Sequence, residues 1–452
     1  MSVLSKDERM NNTIKKFSAV LICLFVSIVS FSQYSKAPVP YQGALLYNQS
    51  LIHPQLTKKY YELNGHRLMW VVKENQAKQL REQLIKNIDS TVYFGLNPLK
   101  YHLAELRGIC KADEFTDSAK AFEADELFTD AFIALCKDIY AGVNISQWIT
   151  YDEFSKKYEA TDDDYLLNKL TRITKGYEID LLLQSLEPSN TQYNIFKSEL
   201  FAQINSENTA MMKQLSLALN FQRWINHFRF DSYIVINIPS ATLRYYQEDT
   251  IALQMKVVVG KPSTTTPRFA AQCDEIILYP YWNVPSSIAL NELLPKVKHN
   301  PAVLDEMNMQ VVNNKGMIVS PFEINWSRFN KKYFPYRFRQ STGCDNSLGV
   351  IKFNITDPYS VYMHDTNNKT AFLSGYRFYS HGCIRVEQPM QLGNILLNNQ
   401  LDTAFLQACY KKQEPVQVSL KNPVPVFVVY HTADTDAAGR IKFYKDVYGI
   451  LK

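Results

Sequence analysis

Asp231-Ser232-Tyr233-Ile234-Val235-Ile236-Asn237-Ile238 is where this 452-residue chain changes its period. Before it, apolar residues recur at helical spacing; after it, they come in short runs bounded by turn residues. Upstream, residues 74–89 carry Leu80, Leu84, Ile85 and Ile88 on one helical face. Gly95-Leu96-Asn97-Pro98 breaks that helix and opens the next, with Asn97 as N-cap and Pro98 at the first helical position. Residues 124–140, 162–175 and 191–228 repeat the pattern. The second of these opens on Asp162-Asp163-Asp164, a charge run suited to the positive end of a helix. The reading for 58–230 is a helical scaffold bundle with no chemistry of its own.

Downstream, 233–238, 241–247 and 251–259 read as strands, with turn signals at Pro239-Ser240, Glu248-Asp249 and Gly260-Lys261-Pro262. Leu278 to Val284 is a further extended segment. Residues 286–309 return to helix, capped by Ser286 or Ser287, with Leu290, Leu293, Leu294 and Val297 on one face. Short strands follow at 311–319, 350–355, 359–364, 415–420 and 425–432. The expected fold class is therefore α+β: a helical scaffold followed by a mostly β domain over 231–452, interrupted by a helical excursion at about 286–345.

The N-terminus bears on where the chain works. Lys15 and Lys16 precede an apolar run of 15 residues, Phe17 to Phe31, and Ser30 and Ser32 supply a small-x-small site. That is the pattern of a secretory signal peptide over 1–32. The run is short for a membrane span, which needs about 20 residues, although an uncleaved anchor is the alternative. Residues 33–57 form a polar lead-in. Losing 1–32 removes four basic and two acidic side chains, so the formal charge falls from +5 to +3. With no basic tract and no zinc-finger spacing, nothing points to nucleic acid. The 28 Tyr and 25 Phe suit packed cores and clefts that hold peptide or carbohydrate.

Six cysteines remain: 110, 136, 273, 344, 383 and 409. An even count in an exported chain invites disulfides. The spacings are wide, however, and domains of this size stabilise themselves through their cores, so no disulfide framework is expected. A Cys110–Cys136 bridge stays open, against the reading of both as buried thiols.

One cysteine has the surroundings of a nucleophile. Ser380-His381-Gly382-Cys383-Ile384-Arg385 places it just after a glycine, with His364 19 positions upstream. The imidazole can take the thiol proton, and the N-terminus of a helix over 388–399, opening on Pro389, favours the resulting anion. Gly382 lets the chain turn sharply and brings backbone N–H groups toward a reacting carbonyl, as in an oxyanion hole. The alternation of Tyr359 to His364 puts His364 at a strand end facing the thiol.

His364, 15 further residues and then Ser-His-Gly-Cys-Ile-Arg resembles the signature of the L,D-transpeptidases that cross-link bacterial peptidoglycan. Tyr281-Trp282-Asn283-Val284-Pro285, Asp345 to Gly349, Lys352-Phe353-Asn354 and Met363 to Thr366 are similar to the larger, gram-negative branch of that family. The excursion at 286–345 falls where that branch carries a helical lid over the cleft, and the upstream bundle looks like its scaffold. The resemblance implies Cys383 as nucleophile, His364 as proton acceptor and donor, and the Asp365 carbonyl as the group orienting the imidazole. It sets Ser380, Gly382, Tyr281 and Trp282 beside the substrate. His381 takes a supporting or substrate-facing role or a packing one; Arg385 holds a carboxylate or carbonyl of the stem peptide or serves as a structural hydrogen-bond hub. The chain departs from the branch twice: 193–229 is too short for a peptidoglycan-binding module, and His381 stands where serine is often found. The implied partners are peptidoglycan stem peptides, a tetrapeptide donor and an amine acceptor; no metal or organic cofactor is implied. The implied reaction forms 3→3 cross-links through a cysteine thioester in the periplasm. A stem-trimming carboxypeptidase or hydrolase, and a wall-binding protein with a decayed site, are the alternatives.

Overall fold

The computed structural model describes residues 50–451 apart from 73–74, 113–114, 116 and 207. The expected signal segment and residues 33–49 of the lead-in lie outside the described residues. The rest of the lead-in already turns into the first helix, Pro54–Leu63.

The scaffold continues through helices Asn75–Asp89, Leu103–Ala112, Ser118–Ala141, Ser155–Leu170, Gly176–Leu186, Thr191–Gln203 and Thr209–Asn226. Ser118–Ala141 is the central one, buried on nearly every face from Ala121 to Tyr140. Of its three buried carboxylates, Asp125, Glu126 and Asp130, the two aspartates are met by donors among the described residues and Glu126 is not. Asp125 accepts from the Tyr61 hydroxyl and the Trp70 backbone N–H, both at 2.6 Å, and Asp130 accepts from the N–H groups of Ile52 and His53 at 2.7 and 2.8 Å. Buried acceptors of this kind are tolerated because donors meet them; here the donors belong to the incoming chain, which is thereby clamped to the bundle. The Asn97-Pro98 signal marks a short 3-10 turn, Pro98–Lys100, with the Asn97 side chain accepting from the Leu99 N–H. The next α-helix begins only at Leu103.

The second half is a closed barrel. Its strands, with one from the scaffold, are β1 (Tyr151–Asp152), β2 (Ser232–Asn237), β3 (Thr242–Gln247), β4 (Thr250–Gly260) and β5 (Phe269–Leu278). After β6 (Trp282–Asn283), β7 (Met309–Val312), β8 (Ile318–Val319) and β9 (Arg337–Gln340) come β10 (Ile351–Ile355), β11 (Tyr362–His364), β12 (Phe378–Ser380), β13 (Ile384–Val386) and β14 (Val416–Val429). The order runs β5-β10-β11-β13-β4-β3-β2-β14, and β14 pairs back onto β5, so the ring has no open edge. β5 falls largely where no strand was expected, and the two strands expected at 415–420 and 425–432 are one strand with a register shift between Ser419 and Val424.

Strand alternation explains why β2 reads as an unbroken apolar run. Ile234 and Ile236 face the barrel interior with Val426 and Val428 of β14. Tyr233 and Val235 face outward, and meet Phe221, Trp224 and Phe228 of the scaffold together with Phe427 and Val429. Both faces are covered, as in sheets flanked by helices. The expected boundary at 230/231 is thus bridged twice: by this shared core, and by β1, which pairs in parallel with Phe269 and Ala270. A buried ion pair adds a third tie. Arg244 of β3 meets Asp434 at 2.8 Å, and Gln192 of the scaffold reaches the same carboxylate at 3.0 Å.

Within the insertion between β5 and β10, expected to be helical over 286–309 with a strand at 311–319, helix gives way to strand at Met309. Helical residues 286–299 and Val303–Glu306 pack on a four-stranded sheet, β6-β9-β7-β8. Leu293, Val297, Leu304, Val311, Trp326 and Phe338 form its core. Alternating aromatics such as Phe334, Tyr336 and Phe338 favour strand over helix there.

The cysteines also correct the expectation. Cys344 and Cys409 form a disulfide across 65 residues of sequence, stapling the end of the lid insertion to the loop before β14. Cys110 and Cys136 are not bridged to each other; Cys136 is buried and Cys110 half-buried. Wide spacing is no argument against pairing when strand order folds distant loops together.

Candidate active site

β10, β11 and β13 lie side by side, and their register assembles the site. Lys352 pairs with His364, and His364 with Arg385. Asn354 pairs with Tyr362, and because Met363 pairs with Ile384, Cys383 lies beside Tyr362. Residues i and i+2 of a strand share a face, so Lys352, Tyr362, His364, Cys383 and Arg385 occupy one surface. Thiol and imidazole are diagonal neighbours on it.

His364 is buried, and its Nδ1 lies 2.5 Å from the Asp365 carbonyl oxygen. A carbonyl only accepts, so Nδ1 carries the proton and Nε2 keeps its lone pair. Burial, then the Arg385 charge, holds the imidazole down to about 3; Lys352 acts in the same direction and the Asp365 bond against it. Burial likewise pushes the Cys383 thiol above its ordinary value, opposed by the backbone and hydroxyl of Tyr362 and by the Lys352 ammonium. The resting pair is neutral thiol and neutral imidazole.

The Asp365 side chain fixes this strand end. Its carboxylate accepts from the N–H groups of Val350 at 3.0 Å and Thr366 at 2.7 Å, and from Lys369. Gly349 is wedged beneath it with φ +58°, and a Cβ there would stand 2.1 Å from Asp365 Oδ2. The turn Asp345 to Gly349 is thus shaped around the residue that follows the histidine. Asn346, wholly buried, holds the same turn through Pro280 O and Ser341 O at 3.1 and 2.8 Å.

The hexapeptide is braced from within. Ser380 is buried; its hydroxyl donates to the Cys383 carbonyl at 2.6 Å and accepts from the Gly382 N–H at 3.2 Å. Gly382 adopts φ +117°, a region closed to side chains, and its carbonyl accepts from buried Thr266 at 2.8 Å. Two expectations change accordingly. The Gly382 N–H points at Ser380 rather than at a reacting carbonyl, and Ser380 braces the turn instead of lining the cleft, because its hydroxyl saturates backbone groups that the tight turn leaves unpaired. His381 is exposed, and its Nε2 lies 2.9 Å from Glu292 of the lid. Arg385 lies 5.9 Å over the Tyr379 ring and is not a hydrogen-bond hub: among the described residues its guanidinium has no hydrogen bond or ion pair.

Trp282 faces the Tyr362 hydroxyl. Tyr281 is held by Glu414 at 3.1 Å and by the Arg339 guanidinium 4.2 Å over its ring, with no contact to Cys383. The sequence reading passed over two groups that do face the thiol, Tyr362 and Lys352. Tyr362 was legible, two residues before His364 on the same strand face; Lys352 needed the pairing of β10 with β11. Thr266 left no signal at all. Among the described residues, no group of three or more His, Cys, Asp or Glu is arranged to hold a metal ion.

Comparison with known proteins agrees with this architecture. Residues 231–418 match the family described as the L,D-transpeptidase catalytic domain, and residues 55–200 match a scaffold domain. A Haemophilus influenzae protein named "Putative L,D-transpeptidase" is 32% identical over 307 residues, which cover 67% of this chain and 61% of that one. This chain therefore spans about three fifths of that relative's length. Among solved structures, the catalytic domain of an Enterococcus faecium L,D-transpeptidase acylated by ertapenem is 15% identical, covering 44% of this chain and 96% of that one, with a TM-score of 0.21. An L,D-transpeptidase from Mycobacterium smegmatis is 14% identical, covering 44% and 58%, with a TM-score of 0.20. Overlaps this small add nothing to the assignment, which stands on the two matched segments. They define an L,D-transpeptidase catalytic domain carried on a scaffold domain. Residues 231–418 belong to the L,D-transpeptidase catalytic-domain family.

Proposed function

We propose that this protein is a peptidoglycan L,D-transpeptidase that forms 3→3 cross-links through a thioester on Cys383. The observation that carries the reading is the shared strand face on which Cys383 lies diagonal to an imidazole whose Nε2 lone pair is kept available by the Asp365 carbonyl. On substrate binding, His364 Nε2 takes the thiol proton and the sulfur attacks the carbonyl of the L-centred third residue of a tetrapeptide stem. The C–N bond to the terminal D-Ala breaks, and the imidazolium returns its proton to the leaving amine. A side-chain amine from a second stem then attacks the thioester, an amide forms and the thiol is restored. The unpaired Arg385 guanidinium suits a stem carboxylate. Export by the 1–32 signal to the periplasm would bring the enzyme to this substrate.

The test is incubation with tetrapeptide muropeptides and mass spectrometry of the products. Cross-linked dimers lacking one D-Ala support transfer, while tripeptides alone would reassign the protein as an L,D-carboxypeptidase. Neither product, together with no carbapenem adduct on Cys383, overturns the enzymatic reading. Cys383→Ala should abolish both products, and His364→Ala should cost several orders of magnitude, with His381→Ala milder.

A further inference from the structure

The strand face that carries Cys383 holds a second cation besides Arg385. Lys352 Nζ lies 4.3 Å over the ring of Tyr362, the residue beside Cys383, so its side chain leans along the sheet toward the thiol. Among the described residues it has no hydrogen bond and no ion pair. Glu275, the carboxylate whose charge acts on Lys352, accepts from the Asn354 amide. Burial depresses both cations, outweighing Cys383 and Glu275 at Lys352 and Tyr379 and Cys383 at Arg385, and among the described residues neither forms an ion pair. Half-buried charges are seldom left unpaired unless a ligand completes them. Two of them flanking one nucleophile make an anion site with its anion missing.

The proposed chemistry says which anion fits. In a donor whose last residue is the leaving group, the terminal carboxylate is only a Cα away from the scissile nitrogen, and so its carbon stands within about 4 Å of the attacked carbon by ordinary bond lengths. We propose that Lys352 reads the terminal carboxylate of the donor peptide and so confines cleavage to a bond one residue from the chain end. This rests on the transpeptidase reading given above. The flexible ammonium of Lys352 contributes a point charge that follows the carboxylate from ground state to departing amino acid, whereas the planar Arg385 fork is fixed against Tyr379.

The experiment compares two tetrapeptide stems, one ending in D-alanine and the other in D-alaninamide, with the full-length mature protein. The wild type should prefer the acid by about 10- to 100-fold in kcat/KM, the worth of one hydrogen bond to a charge. Lys352→Met should lower both rates through its loss beside the thiol, but should lower the rate on the acid about tenfold or more beyond its effect on the amide, so that the preference for the acid collapses toward one. A melting temperature matching the wild type's shows the variant to be folded. A wild-type preference near one overturns the proposal without any variant. So does an equal fall on both donors in a Lys352→Met protein that melts like the wild type, since that places Lys352 at the thiol rather than at the substrate. If the wild type turns over neither donor, the transpeptidase reading itself has failed.

Discussion

Replacing Gly349 by alanine tests the idea that the turn before β10 is shaped around Asp365. The φ of +58° at this position costs a residue with a Cβ roughly 1–2 kcal/mol. The new methyl would stand 2.1 Å from Asp365 Oδ2 and 2.3 Å from its Cγ, so the carboxylate must move. Oδ2 is the atom that accepts the Val350 N–H, and losing a bond to a buried charged group costs about 1.5–3 kcal/mol. The sum is about 3–5 kcal/mol, or roughly 10 °C in melting temperature for a domain of this size. Scanning calorimetry of the wild type and Gly349→Ala would read it. Gly375→Ala is the control: that glycine has no positive φ, and a Cβ added there would meet nothing within 4 Å, so it should change stability by less than about 0.5 kcal/mol. Because Asp365 also supplies the carbonyl on His364 Nδ1, the folded fraction of Gly349→Ala should lose activity beyond its loss of stability. A Gly349→Ala protein that melts within about 1 °C of the wild type would refute the reasoning, being far inside the expected shift.

Three other outcomes are expected. Alkylation of Cys383 by iodoacetamide should accelerate only as pH rises into and past the ordinary thiol range, with no step near 6.5, because the imidazole stays neutral above about 3; a step between about pH 6 and 7, the ordinary imidazole range, would reveal a resting thiolate–imidazolium pair and contradict the structure. The double variant Cys344→Ser/Cys409→Ser should lose about 4 kcal/mol, from the closure entropy of a 65-residue loop, measured by urea denaturation with dithiothreitol-treated wild type alongside. Burial alone would raise the Asp434 carboxyl, but Arg244 and the neighbouring donors hold it below its ordinary value, so its contribution is present at neutral pH and is lost as pH falls through the acid range. Asp434→Asn should cost about 3–5 kcal/mol at neutral pH, since it strands the buried Arg244 charge, and should flatten that acid limb in a pH series of melts.

The sequence was most legible where a pattern is local. Helices such as Asn75–Asp89 and strands β2 to β4 appear within a residue or two of their spacing, because period and turn chemistry act over a few neighbours. The hexapeptide and His364 were legible for the same reason. What failed was non-local. β5 hides in FAAQCDEIIL, where Asp274 and Glu275 interrupt the apolar run because its sheet is partly exposed there. The Cys344–Cys409 bridge, the Lys352 placement and the Glu292–His381 contact each join segments that only strand order brings together. Ser380 and Gly382 were located but misjudged, because a hydroxyl inside a tight turn meets the backbone before it meets a substrate.

The return of β14 onto β5 also sets an order in time. Residues 416–429 close the ring by pairing with β2, almost two hundred positions earlier, and with β5. Until they arrive, β2 and β5 present bare edges of the sort that invite pairing with another chain. The scaffold helices, built from near neighbours, can form as soon as they emerge, and β1 and the Phe221–Trp224 face stand ready as a template for the first strands. The barrel must wait for nearly the whole chain. The matched catalytic segment stops at residue 418, inside this last strand, so a fragment cut there would keep Cys383 and His364 and still be unable to shut.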